Sequence, residues 1–310
     1  MSHLQTKLGP VSVGYLLAIS AVALFSLKAI FIKLAYQYGV NVETLLTLRT
    51  LMGLPFYIGV LWFCWPKNSA INPPAKAYGL AILLGVCSYF LAAILDLYSL
   101  QYISVGLERM LVYLYPTLVL LLGAIVFRRS VSLQQVVWVL MSYGGLVLMF
   151  SYDFAMAQHD SHLILGSALA LLSSLAFAVY VLFSEFAMKP LGSKRFTSVA
   201  MLGASVAIFM VFGLTQPVSH LVQPLPVYVY ALVIAFVCTV LPIYFMNAAI
   251  ARVGAVSVSM VGPLGPVVAI AVAYFVLAED LALQHIIGIV IILFSILALA
   301  NNRQKAQTSS

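Results

Sequence analysis

Charge is what this chain has least of. Of 310 residues only 7% are charged, and 8 acidic residues face 15 basic ones. A soluble domain carries about 25% charged and about 45–50% apolar residues, whereas here 64% are hydrophobic and the mean hydropathy is +1.11. That leaves too little polar surface to coat a water-soluble core. Most apolar side chains must face lipid or one another inside a bilayer.

Catalytic motifs are missing as well. Cys64, Cys87 and Cys238 lie in apolar runs without CxxC spacing, which leaves them as small core residues rather than a disulfide framework or thiolate metal site. There is no HExxH, no GxSxG and no GxxxxGK loop. His159 and His162 fall in one HDSH stretch, and His3, His220 and His285 are scattered. A membrane enzyme would lack its nucleophile, base or metal ligands, so neither metal nor cofactor is expected, and an ATP-driven pump acting alone is excluded. The net charge of +7 falls in short loops without interleaved aromatics, so nucleic acid is not an expected partner. The first apolar run, Val11 to Tyr38, is too long for a signal-peptide core, carries Lys28 and Lys33, and is expected to stay as a span.

What is present is a series of long apolar runs. Cutting at charged, Pro-rich or Asn-rich breaks leaves ten segments, near 13–37, 44–64, 77–99, 104–127, 133–151, 164–187, 196–215, 227–249, 255–277 and 284–300. Each is long enough for a helix of about 20 residues to cross ~30 Å of hydrocarbon, and too continuous for the alternating strands of a barrel. Lys7, Lys67, Lys76, Arg128, Arg129, Lys189, Lys194, Arg195, Arg252, Arg303 and Lys305 then fall on one side, while Glu43, Asp153, Asp160, Glu279 and Asp280 fall on the other. The positive-inside rule makes both termini cytoplasmic.

The chain also matches itself. At a shift of 150, Pro116 meets Pro266, Leu133 meets Leu283 and Gln134 meets Gln284. At a shift of 152, Gly14 meets Gly166, Leu17 meets Leu169, Ala18 meets Ala170 and Phe25 meets Phe177. Two copies of a five-span unit follow, and because five is odd the second must be upside down. Arg129 aligned with Glu279 fits that inversion, each having the sign its own side favours. The expected division is residues 1–151, a connector 152–163, residues 164–303 and a cytoplasmic tail 304–310.

Span 4 contains GLERMLVYLYPTLVLL, residues 106–121, where a carboxylate and a guanidinium sit in lipid-like sequence. Helical neighbours point about 100° apart, so Glu108 and Arg109 are not expected to satisfy one another. With Lys28, Lys33, Arg49 and Asp96 they place six charges in the middle or outer half of the first repeat, against Glu185 alone in the second. At about 3 kcal/mol each, exposure of all six to lipid would cost ~18 kcal/mol, so they must face protein or water. Four are basic and two acidic. The surplus predicts a seat for an anionic group, with Lys28 as the first-choice ligand. The alternative has Lys33 and Arg49 snorkelling outward, with Lys28, Asp96, Glu108 and Arg109 as a structural network.

Prolines punctuate the matching spans. Pro116 frees the carbonyl of Val112, and Pro263 and Pro266 free those of Ser259 and Gly262. Ser257, Ser259, Gly262, Gly265 and Ala269 add small surfaces that permit close helix approach. Breaks at corresponding places in two halves point to a midplane site with moving parts, so Pro116, Gly262, Pro263 and Pro266 are candidate gating positions. Tyr113, Tyr180, Tyr244 and Asn247 are candidate cavity residues. Asp96 and Glu108 are the acidic groups deep enough to accept a transported proton.

The runs LYSLQYISVGLERMLVYLYPTLVLLLGAIVF (97–127) and MNAAIARVGAVSVSMVGPLGPVVAIAVAYFVLAEDLA (246–282) resemble the paired signatures of EamA-type carriers of the drug/metabolite transporter superfamily. FSLKAIFIKLA in span 1 and TLLTLRTLMG in span 2 extend the likeness over nearly the whole chain. The resemblance implies ten helices in two inverted repeats, a central cavity lined by spans 1, 3, 4, 6, 8 and 9, and peripheral spans 5 and 10. Lys33, Arg49, Pro116, Pro266 and Glu279 match typical family positions, whereas Lys28 and Arg129 depart from the pattern. A secondary carrier of a small molecule in a bacterial inner membrane is expected, exporting an amino acid or related carboxylate by alternating access, with protons as a candidate coupling ion. The alternative cargo is an organic cation or drug held by Asp96 and Glu108; a polytopic enzyme or passive scaffold fits the residues less well.

Overall fold

The computed structural model describes residues 9–65, 73–103, 105–128, 132–156, 162–277 and 283–308. Among them the secondary structure is entirely helical. The first half runs α1 (Pro10–Ser26), α2 (Lys28–Tyr36), α3 (Val42–Cys64), α4 (Ala75–Gly85), a π-helical turn (Val86–Ala92), α5 (Ala93–Tyr102), α6 (Val105–Val112), α7 (Tyr115–Phe127) and α8 (Leu133–Met156). The second runs α9 (Leu163–Leu191), α10 (Ser193–Thr215), α11 (Leu225–Ala235), a second π-helical turn (Phe236–Val240), α12 (Leu241–Val253), α13 (Ala255–Ser259), α14 (Leu264–Leu277) and α15 (Leu283–Thr308). The two π-helical turns begin 150 residues apart, at the same spacing as the sequence self-match.

Local chemistry sets the ends of these elements. The Asn41 side chain caps α3 by accepting from the Thr44 amide at 2.8 Å. Gly192 and Gly254 adopt φ of 72° and 83°, so the chain turns at once from α9 into α10 and from α12 into α13. Pro116 stands in the first turn of α7, where a missing donor costs nothing. α8 continues to Met156, into the stretch expected to connect the halves, and α15 continues to Thr308, into the expected tail. Arg129, Asp160, Glu279, Asp280, His159, Lys7 and Lys67 lie outside the described residues.

Among the described residues six helices are long and apolar enough to cross a membrane: Val11–Tyr36, Val42–Cys64, Ala75–Tyr102, Leu163–Leu191, Ser193–Thr215 and Leu225–Val253. Tyr115–Phe127, Ala255–Val268 and Ile286–Ser295 are shorter apolar helices. Their outward faces carry exposed Leu, Ile and Val, and Trp62, Phe63 and Trp65 cluster at the end of α3 like the aromatic anchors of a bilayer interface. The chain is an integral membrane protein, with large apolar side chains toward lipid and small ones between helices.

Small residues decide which helices approach. A Cβ on Gly85 would collide with the backbone of Ala200, so the end of α4 lies directly on α10. Gly14 of α1 packs on Arg252 and Val253 of α12, and Gly166 of α9 packs on Tyr102 and Ile103. Both partners of the second contact precede those of the first by 150 residues. α3 and α10 run antiparallel: Asn41 before α3 bonds to Gln216 after α10 at 3.2 Å, and Arg195 early in α10 donates to the Cys64 carbonyl at 2.9 Å. α8 and α15 also run antiparallel, with Trp138 against Phe294 and Gly145 against Gly288 and Ile292.

Candidate functional site

Between the two halves lies a cavity of about 90 Å³. At roughly 10–15 Å³ per enclosed water by the same measure, it has room for about six to nine waters or a small solute. Beside aliphatic residues such as Val22, Ile243 and Met246, three kinds of residue form its wall. Phe25, Tyr115 and Phe177 make an edge-to-face aromatic array, with Phe177 6.5 Å from Phe25 and 5.1 Å from Tyr115. Lys28, Arg49, Asp96 and Arg109 bring charge. Ser88 and Thr239 come from the two π-helical turns, where one extra residue per turn redirects a side chain inward.

The charges are mostly paired. Lys28 Nζ lies 2.6 Å from Asp96 Oδ2, while the other Asp96 oxygen accepts from Arg109 Nη2 at 3.4 Å. Arg109 donates from Nε and Nη2 to both oxygens of Glu108, at 2.5 and 2.9 Å. The expectation that adjacent Glu108 and Arg109 would not meet is therefore corrected. Their Cβ vectors diverge, but the flexible Arg side chain closes the angle, and in a site where Glu108 is 0% exposed no water competes for either charge. Lys28, the predicted ligand, is held by Asp96.

Arg49 stands apart. Its residue is 7% exposed, it lines the cavity, and it makes no hydrogen bond or ion pair with another described residue. It does not snorkel to the surface, as one sequence-based alternative had it. Lys33 is half-buried and donates to the Ile103 carbonyl at 3.1 Å, capping the end of α5. Of the four basic residues, then, Lys28 and Arg109 are paired with carboxylates, Lys33 is spent on a helix end, and Arg49 is left facing the cavity. The sequence contained the signal, a four-to-two excess of basic over acidic groups, but not which residue carried it.

The remaining candidates form two groups. Tyr113 lines the cavity and shares a 3.0 Å hydrogen bond with Ser26. Tyr180, Tyr244 and Asn247 lie beyond the wall. There Tyr89, a wall residue, donates to Tyr180 at 2.5 Å, and Asn247 donates to Tyr180 at 2.6 Å and to Thr197 at 2.8 Å. This buried polar chain leads from the cavity toward the start of α10, the end of the molecule that also holds Cys64 and Glu185. Tyr244 shares a 2.6 Å bond with Ser198 and stacks on Tyr57. Glu185 caps α13 by accepting from the Ala255 amide at 3.0 Å.

The helix breaks meet one another. Tyr113 and Tyr115 flank the break between α6 and α7, and each ring sits where a side chain is missing from the other half, Tyr113 on Gly265 and Tyr115 on Gly262. Pro116, Pro263 and Pro266 start or precede restarted helices. The Val112 carbonyl that Pro116 frees accepts from Ser174 Oγ at 3.0 Å. Those freed by Pro263 and Pro266 accept from Gly262 and Gly265 amides at 2.9 and 2.8 Å. With the two tyrosines over Gly262 and Gly265, no described side chain of α13 or α14 lines the cavity, whereas α3 contributes Arg49. The resemblance had implied a wall mainly from spans 1, 3, 4, 6, 8 and 9.

An apolar helical body around a charged, solute-sized cavity is the build of a membrane transporter, and comparison with known proteins agrees. The EamA-like transporter family model matches residues 12–151 and 164–301, and the chain belongs to that family. It is 28% identical to the uncharacterized transporter YcbK of Bacillus subtilis (strain 168), over 92% of this chain and 91% of that one. It is 24% identical to the uncharacterized transporter YyaM of the same organism, over 74% and 75% of the two chains. A solved crystal structure of a protein superposes with a TM-score of 0.73 at 15% identity, covering 92% of this chain and 96% of that one, which shows a shared fold. The protein is thus a transporter of the inner membrane, with a small molecule as substrate and the bilayer as surroundings.

Proposed function

We propose that the chain is a secondary carrier that exports a small carboxylate, an amino acid or related acid, by alternating access between two inverted five-span halves with cytoplasmic termini. The observation that carries the cargo is the Arg49 guanidinium, buried, unpaired and facing the cavity. A buried cation without a counter-ion is costly, and an incoming carboxylate removes that cost. The inverted arrangement draws support from the equivalent helices α3 and α10 running antiparallel, from α8 and α15 doing the same, and from the twofold match to the family model. α8 and α15 pack chiefly on each other, as peripheral spans would.

Lys28, Asp96, Glu108 and Arg109 then serve as the charged frame of the site, with Tyr113 on its wall. Tyr180, Tyr244 and Asn247 close it toward the cytoplasm, and Pro116, Gly262, Pro263 and Pro266 mark the moving joint. A transported proton would ride on Asp96 or Glu108. The alternative, an organic cation held by those two carboxylates, has less support because both are already ion-paired. Counterflow in proteoliposomes against amino acids, organic acids, sugar phosphates and quaternary amines tests the proposal. Exchange of carboxylates is expected, and exchange of quaternary amines alone would reverse the assignment.

A further inference from the structure

The charge pattern narrows the cargo further. Both carboxylates of the frame are engaged, Asp96 by Lys28 and Arg109 and Glu108 by Arg109, so the cavity offers no free anionic acceptor for an ammonium group. A zwitterion would have to strip Lys28 from Asp96, and that would strand a second cation in a site 84% screened at the Lys28 side chain. A dianion meets the opposite difficulty, since Arg49 is the one cation among the described wall residues without a direct ion pair.

The neutral part of the wall is equally selective. Ser88 Oγ, Thr239 Oγ1 and Tyr115 Oη are buried without hydrogen-bond partners, and all three residues line the cavity. Hydroxyls left unpaired in residues of the same wall as an unpaired guanidinium are donors awaiting an acceptor. The rest of the wall is mostly apolar, with aliphatic Val22, Ile243 and Met246 beside the aromatic array of Phe25, Tyr115 and Phe177, which suits an apolar body carrying a flat ring. We infer that the substrate is a monoanionic carboxylate with an apolar, ring-bearing body and no ammonium group, its carboxylate seated on Arg49 with the Ser88 and Thr239 hydroxyls as added donors. This rests on the cavity being the carrier's binding site.

Three probes with one ring and different charges test it: phenylacetate, phenylalanine and phenethylamine. Binding is read as a shift in the thermal midpoint of the purified protein and transport as counterflow above protein-free vesicles. Phenylacetate is expected to stabilise and exchange, phenylalanine to bind at least tenfold more weakly, and phenethylamine not to bind. Arg49→Gln is expected to abolish the phenylacetate shift and Arg49→Lys to weaken it about tenfold. Should Arg49→Gln fail to fold, Ser88→Ala and Thr239→Val are expected to fold and each to weaken phenylacetate several-fold. A preference for phenylalanine or phenethylamine overturns the inference while leaving the carrier intact. Binding without counterflow overturns the cavity as the transport site, and the inference about the substrate with it. Wild-type phenylacetate affinity in a folded Arg49→Gln protein, or no binding of any probe, overturns the inference outright.

Discussion

Lys28 and Asp96 form an ion pair of 2.6 Å at the cavity, and removing Lys28 leaves the buried Asp96 with only the longer 3.4 Å contact to Arg109. Lys28→Met is expected to lower stability by about 3–5 kcal/mol, the usual cost of breaking a buried pair, as read by thermal unfolding in detergent. Adding Asp96→Asn to that variant is expected to recover at least half of the loss. No recovery would mean that Lys28 acts on something other than Asp96. The excess of basic residues was legible in the sequence because membrane charges are few and easily counted. Their pairing was not. Whether Arg109 turns to Glu108 or away depends on side-chain torsions that spacing along a helix does not constrain, and choosing Arg49 over Lys28 as the free cation required knowing where Asp96 lay.

The joints between helices set the next level. Gly265 meets the Tyr113 ring and hydroxyl with no space for a methyl, so Gly265→Ala is expected to cost about 1–3 kcal/mol by overpacking. Tyr113→Leu in the same chain is expected to relieve it, since the smaller side chain vacates the hollow; thermal melts of the two single variants and the double variant measure the coupling. Ser174→Ala leaves the Val112 carbonyl without its partner and is expected to cost about 1–3 kcal/mol. Pro116→Ala in that background supplies a backbone donor four residues on and is expected to restore part of it. The six long apolar helices and both proline breaks were readable from hydropathy and residue type. The π-helical turns that aim Ser88 and Thr239 inward were not, because one extra residue in a helical turn leaves no mark in an apolar sequence.

Across the whole molecule, the antiparallel contacts of α3 with α10 put Asn41, Gln216 and His220 at one end and Cys64, Arg195 and Glu185 at the other. With Cys64, Cys87 and Cys238 replaced by Ser, a Lys194→Cys chain is expected to react with an impermeant maleimide only in inside-out vesicles. His220→Cys is expected to react only in right-side-out ones. Labelling of both from the same face would remove the inverted arrangement. The self-match at shifts of 150 and 152 pointed to the proposed repeat, and it falls on residues that packing constrains, as at Gly14 and Gly166, where a neighbouring helix leaves no room for a side chain. Which helices cross between halves was hidden, since contacts between remote spans leave no periodic trace. The rings of Tyr113 and Tyr115 resting on Gly265 and Gly262 have a mechanical consequence. Under the proposed alternating access, a smooth ring on bare backbone would roll like a cam without dragging a ridge of side chains past another, and a crowded surface there would act as a brake.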